Sequence, residues 1–238
     1  MEKNIIEMRQ ITKYIDDKLI LNNVTFEIPA GKIIGFVGPN GAGKTTTLKL
    51  ISGLTDYNSG EIKFCGQDIK SANKGDIMFI QDNPLIYEEL TGKEYLDFIL
   101  DLFDKKVEKN KVDSFVKEFE FEEAIDKLIR TYSLGMKKKI ALLSVLIVNP
   151  KILLLDEYFS GIDPINLYLI KENLRKFISS ENSIFISTHQ LEIAEKFCDI
   201  IISIEKGKII DNYIETKELI EKDQSLENYF INTFKGTV

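Results

Sequence analysis

The chain has 238 residues, 44% of them hydrophobic and 29% charged, with a formal net charge of -7. That is enough apolar content for a buried core in one large or two small domains, and it excludes a disordered chain. The acidic balance argues against broad nucleic-acid binding, and apolar stretches such as "ILLL" at 152–155 and "IALLSVLIV" at 140–148 fall well short of the roughly 18 residues a membrane span needs.

The start, "MEKNIIEMRQ", lacks the long apolar core of a secretory signal, so the expectation is a protein that stays in the cytoplasm. Residues 4–36 then alternate β-rich runs ("NIIEMRQI", "LILNNVTFEI", "KIIGFV") with short polar turns, predicting antiparallel strands that lead into a buried one. Cys65 and Cys198 have no paired-motif spacing and read as reduced, buried thiols.

"GPNGAGKT", Gly38 to Thr45, follows the apolar run "IIGFV" and precedes "KTTTLKLIS", which can run as a helix until Gly53. It matches G-x-x-x-x-G-K-[ST] in the strand-to-helix setting that the chemistry requires. Gly38, Gly41 and Gly43 let the backbone curl so that successive N–H groups, with those of Pro39 to Thr46 where present, face phosphate oxygens at a helix N-terminus. Lys44 would neutralise the β- and γ-phosphates of a nucleoside triphosphate, and Thr45 would give a hydroxyl to Mg²⁺. A glycine-rich turn without a ligand is the bland alternative, and the flanks weigh against it.

Gln81 follows the strand-like "IMFI" and could offer its amide to Mg²⁺ or water; alone it would be an ordinary loop residue. From about residue 91 to 149 the pattern is helical and charged. Within it, "TYSLGMKKKIALLSVLIV" sets three lysines at the start of an apolar helix, where the helix dipole is already positive, so an anion is expected there. "KILLLD" and "SIFIST" read as fully buried parallel strands around a helix with Asp163 as N-cap and Pro164 at its first position. Strand, helix, strand predicts an α/β core.

Asp156 ends the first of those strands, where a P-loop protein places the acid that holds Mg²⁺ through its water shell. Side chains alternate along a strand, so Glu157 can diverge from Asp156 toward a water attacking the γ-phosphate. His189, the single histidine, falls just after "SIFIST", at the sheet edge where open α/β folds hold ligands. Two acids at a strand end and a lone histidine are ordinary structural features; beside Gly38–Thr45 they read as a site.

In this order the motifs resemble the nucleotide-binding subunit of an ATP-binding cassette (ABC) transporter over nearly the whole chain. The resemblance assigns Gly38–Thr45 as the Walker A loop, Gln81 as the glutamine loop and Tyr132–Met136 as the signature. It assigns Ile152–Glu157 as the Walker B strand with catalytic glutamate, Ser160–Asp163 as the aspartate loop and His189 as the histidine switch. It implies a P-loop NTPase with a RecA-like core, an N-terminal antiparallel β subdomain, a helical subdomain inserted at 83–149 and a short C-terminal cap at 205–238. ATP, Mg²⁺, a second ABC subunit and a transmembrane permease are implied as ligands and partners, with the chain peripheral on the inner face of the membrane.

In this family each ATP lies between one subunit's Walker A loop and the other's signature helix. The anion expected at the three lysines is then the partner's ATP, met by Ser133 and the backbone of Gly135. Lys137, Lys138 or Lys139 would add longer-range attraction, and the remaining one or two would be solvated. The signature departs from the commonest Leu-Ser-Gly-Gly-Gln: "YSLGM" keeps Ser133 and Gly135 only. With "LIYEELTGKEYLDFI" it resembles cassettes of bacterial exporters, including those for peptide antibiotics. Tyr158 stands where proline usually follows the glutamate, which predicts a less constrained backbone. The family's adenine-stacking aromatic aligns with Ile15, so Tyr14, one residue earlier, is the candidate. The reading is an ATP-hydrolysing motor for export. The alternatives are a non-transport ABC ATPase on ribosomes or DNA, which would normally carry two cassettes or a coiled-coil insertion, and a regulatory module, which would be expected to lose Glu157 or His189.

Overall fold

The structure, a computed structural model, describes residues 3–73, 75–221 and 225–235. A hairpin of β1 (Asn4–Ile15) and β2 (Lys18–Pro29) leads into β3 (Ile33–Val37), a loop, and α1 (Lys44–Ile51). Asp16 and Asp17 both take positive φ, 47° and 61°, as a two-residue hairpin turn that matches strand twist requires. Next come β4 (Ser59–Phe64), β5 (Gln67–Asp68) and β6 (Ile77–Ile80), followed by α2 (Gly92–Leu102), α3 (Lys109–Glu118) and α4 (Leu134–Val148). The chain continues through β7 (Ile152–Asp156), α5 (Pro164–Phe177), β8 (Ser183–Thr188), α6 (Leu191–Phe197), β9 (Ile200–Glu205), β10 (Lys208–Glu215), α7 (Thr216–Glu221) and α8 (Leu226–Lys235).

The strands form two sheets. An antiparallel one has the order β2-β1-β4-β5, and a six-stranded one the order β10-β9-β3-β8-β7-β6. In the second sheet only β10 runs antiparallel to its neighbour. Every residue of β3, β7 and β8 is buried, which is why these strands read as unbroken apolar runs rather than alternating ones. Phe26, Phe36 and Phe185 fill the space between the sheets with ring centroids 5.1–5.6 Å apart. On the other face pack α4, α5, α6 and the α8 residues Leu226 and Phe230.

Helix boundaries follow local chemistry. Thr91 and Glu94 close a capping box on α2, and Asp163 caps α5, whose first residue is Pro164. Ser133 caps α4, and Asn149 ends it in the left-handed region. Residues 140–148 of α4 are all buried, as expected of a helix that is apolar on every side. The segment 83–149 holds α2, α3 and α4. Residues 208–215, grouped by sequence with the C-terminal cap, are instead the edge strand β10 of the main sheet; residues 222–224 and 236–238 of that cap lie outside the described residues.

The parallel register sets the site. Val37 pairs with Thr188, Asp156 with Ser187, and Ile80 with Leu155. Gly38, Gln81, Glu157 and His189 therefore emerge together on the C-terminal edge of the sheet, where open α/β folds bind ligands.

Candidate active site

The loop after β3 is braced from below. A Cβ on Gly38 would fall 2.1 Å from the carbonyl oxygen of Ile204 on β9, so only glycine allows this approach. The turn after β9 makes a second brace: the Gly207 N–H donates to Ala42 O at 3.0 Å, and Gly207 O accepts from Asn22 N at 2.8 Å. A Cβ on Gly207 would lie 2.2 Å from Ile20 O. Above this support Pro39, Asn40, Gly41 and Thr45 are exposed, and Thr46 is half-buried. Gly43 is the N-cap of α1 and supplies no side-chain acceptor, so no side chain competes for the amides at that helix end.

Lys44 is 6% exposed. Its ammonium donates to Gly38 O at 2.7 Å and Pro39 O at 3.2 Å, and lies 3.3 Å from Glu157 Oε1. The other oxygen of that carboxylate, Oε2, is 2.9 Å from His189 Nδ1 and accepts the His189 N–H at 3.4 Å. Oε1 is buried and has no hydrogen-bond partner; its contact with Lys44 is an ion pair without hydrogen-bond geometry. Glu157 has φ 48°, and its N–H is held by the carbonyl and hydroxyl oxygens of Ser187 at 3.1 and 3.2 Å.

Thr45 Oγ1 donates to Asp156 Oδ2 at 2.8 Å, and Ser187 Oγ donates to Asp156 Oδ1. A hydroxyl and a carboxylate thus meet at the mouth of the loop. This oxygen pair fits Mg²⁺, a hard cation that keeps several waters and takes other oxygens from phosphates. No cluster of three or more His, Cys, Asp or Glu that could hold a metal occurs among the described residues. Gln81 is exposed at the end of β6, one position past the Ile80–Leu155 pair and so level with Asp156.

The signature segment stands apart from this cluster. Ser133 is exposed, with its Oγ accepting from Met136 N at 3.2 Å. Gly135 packs on the start of α5, where an added Cβ would meet Asn166 Nδ2 at 3.0 Å and Asp163 Oδ2 at 3.3 Å. Both oxygens of Asp163 are used by Asn166, its side-chain amide at 2.6 Å and its backbone at 3.1 Å, and these bonds lower the Asp163 pKa. Within one chain Asp163 is a helix cap beside the signature.

The three lysines do not do what the sequence suggested. None is left to solvent. Lys137 pairs with Glu88 at 2.6 Å. Lys138, 1% exposed, bonds Asp82 Oδ1, Tyr158 O and Ser160 O at 2.8, 2.9 and 2.7 Å. Lys139 donates to Phe119 O at 3.0 Å and lies 5.2 Å from the Phe121 ring centroid. The partners are carboxylates and carbonyl oxygens of the same chain, so an outside anion is not needed to account for the run.

Tyr158 also departs from expectation. It does not loosen the backbone: it is fully buried, and its hydroxyl donates to Lys138 O. Tyr14, at the end of β1, is 45% exposed, as is Ile15. A register shift falls between Lys13, opposite Leu21, and Tyr14, opposite Leu19, so the strand's facing changes at this point. This hairpin end borders the loop, because Leu21 Cδ2 lies 2.6 Å from where a Gly43 Cβ would be.

Sequence reasoning missed Ser187, Ile204 and Gly207, and it gave Lys138 to an outside anion or to solvent rather than to Asp82, Tyr158 and Ser160. Ser187 was legible in principle, as a polar residue near the end of a wholly buried strand. Ile204 and Gly207 act through backbone atoms and leave no motif.

A family model described as "ABC transporter" matches residues 21–160. The ABC transporter ATP-binding protein YhcH of Bacillus subtilis is 35% identical over 213 residues, covering 88% of this chain and 70% of that protein. The lantibiotic transport ATP-binding protein SrtF of Streptococcus pyogenes is 30% identical over 228 residues, covering 96% of each. A solved structure of the ATP-binding subunit of an ABC transporter superposes with a TM-score of 0.85 at 24% identity, covering 97% of this chain and 99% of that one.

Proposed function

The chain belongs to the ABC transporter family, among its ATP-binding proteins, and on that premise we propose that it hydrolyses ATP to drive export through a separate membrane permease. The observation that carries the reading is the cluster of Lys44, Glu157 and His189 beside the Thr45–Asp156 pair. Loop 38–46 holds the triphosphate with backbone N–H groups and Lys44. Glu157 accepts a proton from water, and His189, on the same carboxylate, orients it and reaches the γ-phosphate. Thr45, Asp156 and Gln81 would hold Mg²⁺, which would supply charge neutralisation at the β- and γ-phosphate oxygens.

A second cassette completes each site. In this reading Ser133 and Gly135 face the γ-phosphate bound by the partner's loop, and Asp163 lies at the same seam. Tyr14 stacks on the adenine. Residues 83–149 act as the inserted helical subdomain.

The permease is supported by a cavity of about 490 Å³ lined by Gln81, Pro84, Leu85, Tyr95, Ile99 and Leu102. Leu85 is 94% exposed there, an apolar residue suited to a partner's helix. No helix among the described residues is long and apolar enough to cross a membrane. The chain would then reach the inner face of the membrane through its permease. The SrtF relationship, to a lantibiotic transport protein, supports transport, and the likeness of the "YSLGM" signature to those of bacterial exporters favours export over import.

Two measurements test this together: Mg²⁺-dependent phosphate release by the purified chain, and its fractionation with and without a co-expressed candidate permease. Turnover and a shift into the membrane fraction are expected. No turnover would sink the enzyme reading, and persistent sedimentation with ribosomes would replace transport by the ribosomal alternative.

A further inference from the structure

The buried cation Lys138 belongs to none of the roles assigned above. An ammonium has three N–H donors in a tetrahedral spread and no acceptor. All three are used, on Asp82 Oδ1 at 2.8 Å, Tyr158 O at 2.9 Å and Ser160 O at 2.7 Å. The oxygens come from two segments distant in sequence, the loop after β6 and the loop after β7. Tyr158 answers the contact: its hydroxyl donates to Lys138 O, and its ring centroid lies 5.5 Å from the ammonium. The two residues are bonded to each other in both directions.

Glu157 immediately precedes Tyr158 and sits at φ 48°, a conformation an L-residue keeps only when its surroundings over-determine it. On its N-terminal side the Glu157 N–H is bonded to Ser187. On its C-terminal side the Tyr158 and Ser160 carbonyls are bonded to Lys138. These clamps hold the backbone from which the Glu157 carboxylate reaches Lys44 and His189.

We propose that Lys138 is a positioning residue for hydrolysis: through the Tyr158 and Ser160 carbonyls it fixes where the Glu157 carboxylate stands, and through Asp82 it ties that position to the loop carrying Gln81. Tyr158 is the reciprocal half of the same device. The neutral side chain of methionine would fill the space of Lys138 but supply no donor, and the Tyr158–Ser160 turn would relax. A misplacement near 1 Å at a reacting group costs on the order of a hundredfold in rate. Lys138 touches neither the 38–46 loop nor Thr45, so nucleotide affinity is unaffected.

This rests on the ATPase reading, and the experiment separates the two. Steady-state ATPase is measured for the unmodified chain, Lys138→Met, Tyr158→Phe and the double variant, with nucleotide affinity from a fluorescent ATP analogue. Lys138→Met should lower kcat roughly ten- to hundredfold with KM and affinity within about threefold. Tyr158→Phe should lower kcat by a smaller factor, again at constant KM. The double variant should be about as slow as Lys138→Met alone, because both substitutions release one turn. If Lys138→Met does not fold, Tyr158→Phe decides by the same criterion. Unchanged kcat in an active background overturns the positioning role, as does a parallel loss of affinity and rate. An inactive unmodified chain overturns the ATPase reading and this one with it.

Discussion

The ammonium of Lys44 and the carboxylate of Glu157 lie 3.3 Å apart, and the far oxygen of that carboxylate lies 2.9 Å from His189. Lys44 is therefore paired with the chain's own glutamate and with two loop carbonyls. In the proposed function an entering γ-phosphate would compete with Glu157 for the same cation, and displacing the carboxylate would leave it free to face water.

The two residues should consequently separate on substitution. A hydrogen bond to a charged group contributes about 1.5–3 kcal/mol. Lys44→Ala should thus weaken ATP binding roughly ten- to hundredfold. Glu157→Gln should bind ATP as well as the unmodified chain or better, while turnover falls by about 10²–10⁴. Isothermal titration with ATP and single-turnover hydrolysis check both; equal losses of affinity in the two variants would contradict these roles.

A second expectation concerns the metal. Since Asp156 touches Thr45 directly and is held by Ser187, Asp156→Asn should keep ATP binding in EDTA. The Mg²⁺ concentration needed for half-maximal turnover should rise by about 10–100-fold. A magnesium titration of phosphate release reads this, and an unchanged midpoint would remove Asp156 from the site.

What the sequence made legible was what is local. Gly38–Thr45, Asp156 and the Asp163–Pro164 helix start are each specified within a few residues, by turn, strand-end or capping chemistry, and each stands where the pattern put it. Lys138 was illegible because its partners Asp82 and Tyr158 are 56 and 20 residues away. A lysine run looks solvated until the fold brings buried oxygens to it. The facing of Tyr14 was illegible for another reason: a register shift at Lys13–Tyr14 changes the strand's alternation just where a one-residue choice mattered.

The signature carries the third prediction. Ser133 is exposed at the start of α4 and bonds only its own helix end among the contacts described. Ser133→Arg should leave ATP binding by the monomer's own loop unchanged. In the Glu157→Gln background, which holds ATP without turnover, it should abolish ATP-driven dimer formation on gel filtration. Normal dimerisation by the double variant would remove this helix end from the partner's site.

The thiols give a structural check. Burial pushes Cys198 up to about 12, so at pH 8 only about one thiol in 10⁴ would be ionised even if reagent reached it. Native protein should therefore release at most one equivalent with a thiol reagent at pH 8, from half-buried Cys65, and two after denaturation. Because the thiolate is the reactive form, labelling of Cys198 should rise with pH up to about 12. Rapid labelling of both thiols in the native state would mean that α6 and β9 do not close over Cys198 as described.

The brace at Gly207 bears on the order of events during synthesis. The Gly38–Thr45 motif is complete once residue 45 has been added, yet its floor consists of Ile204 and its tie to β2 runs through Gly207. At about 5–20 residues per second, on the order of ten to thirty seconds separate the two on the ribosome. Throughout that interval the nascent chain carries every residue of its phosphate-binding loop without the backbone that shapes it. Nucleotide capture should begin as one late step, after β9 and its turn have emerged, rather than growing as successive strands appear.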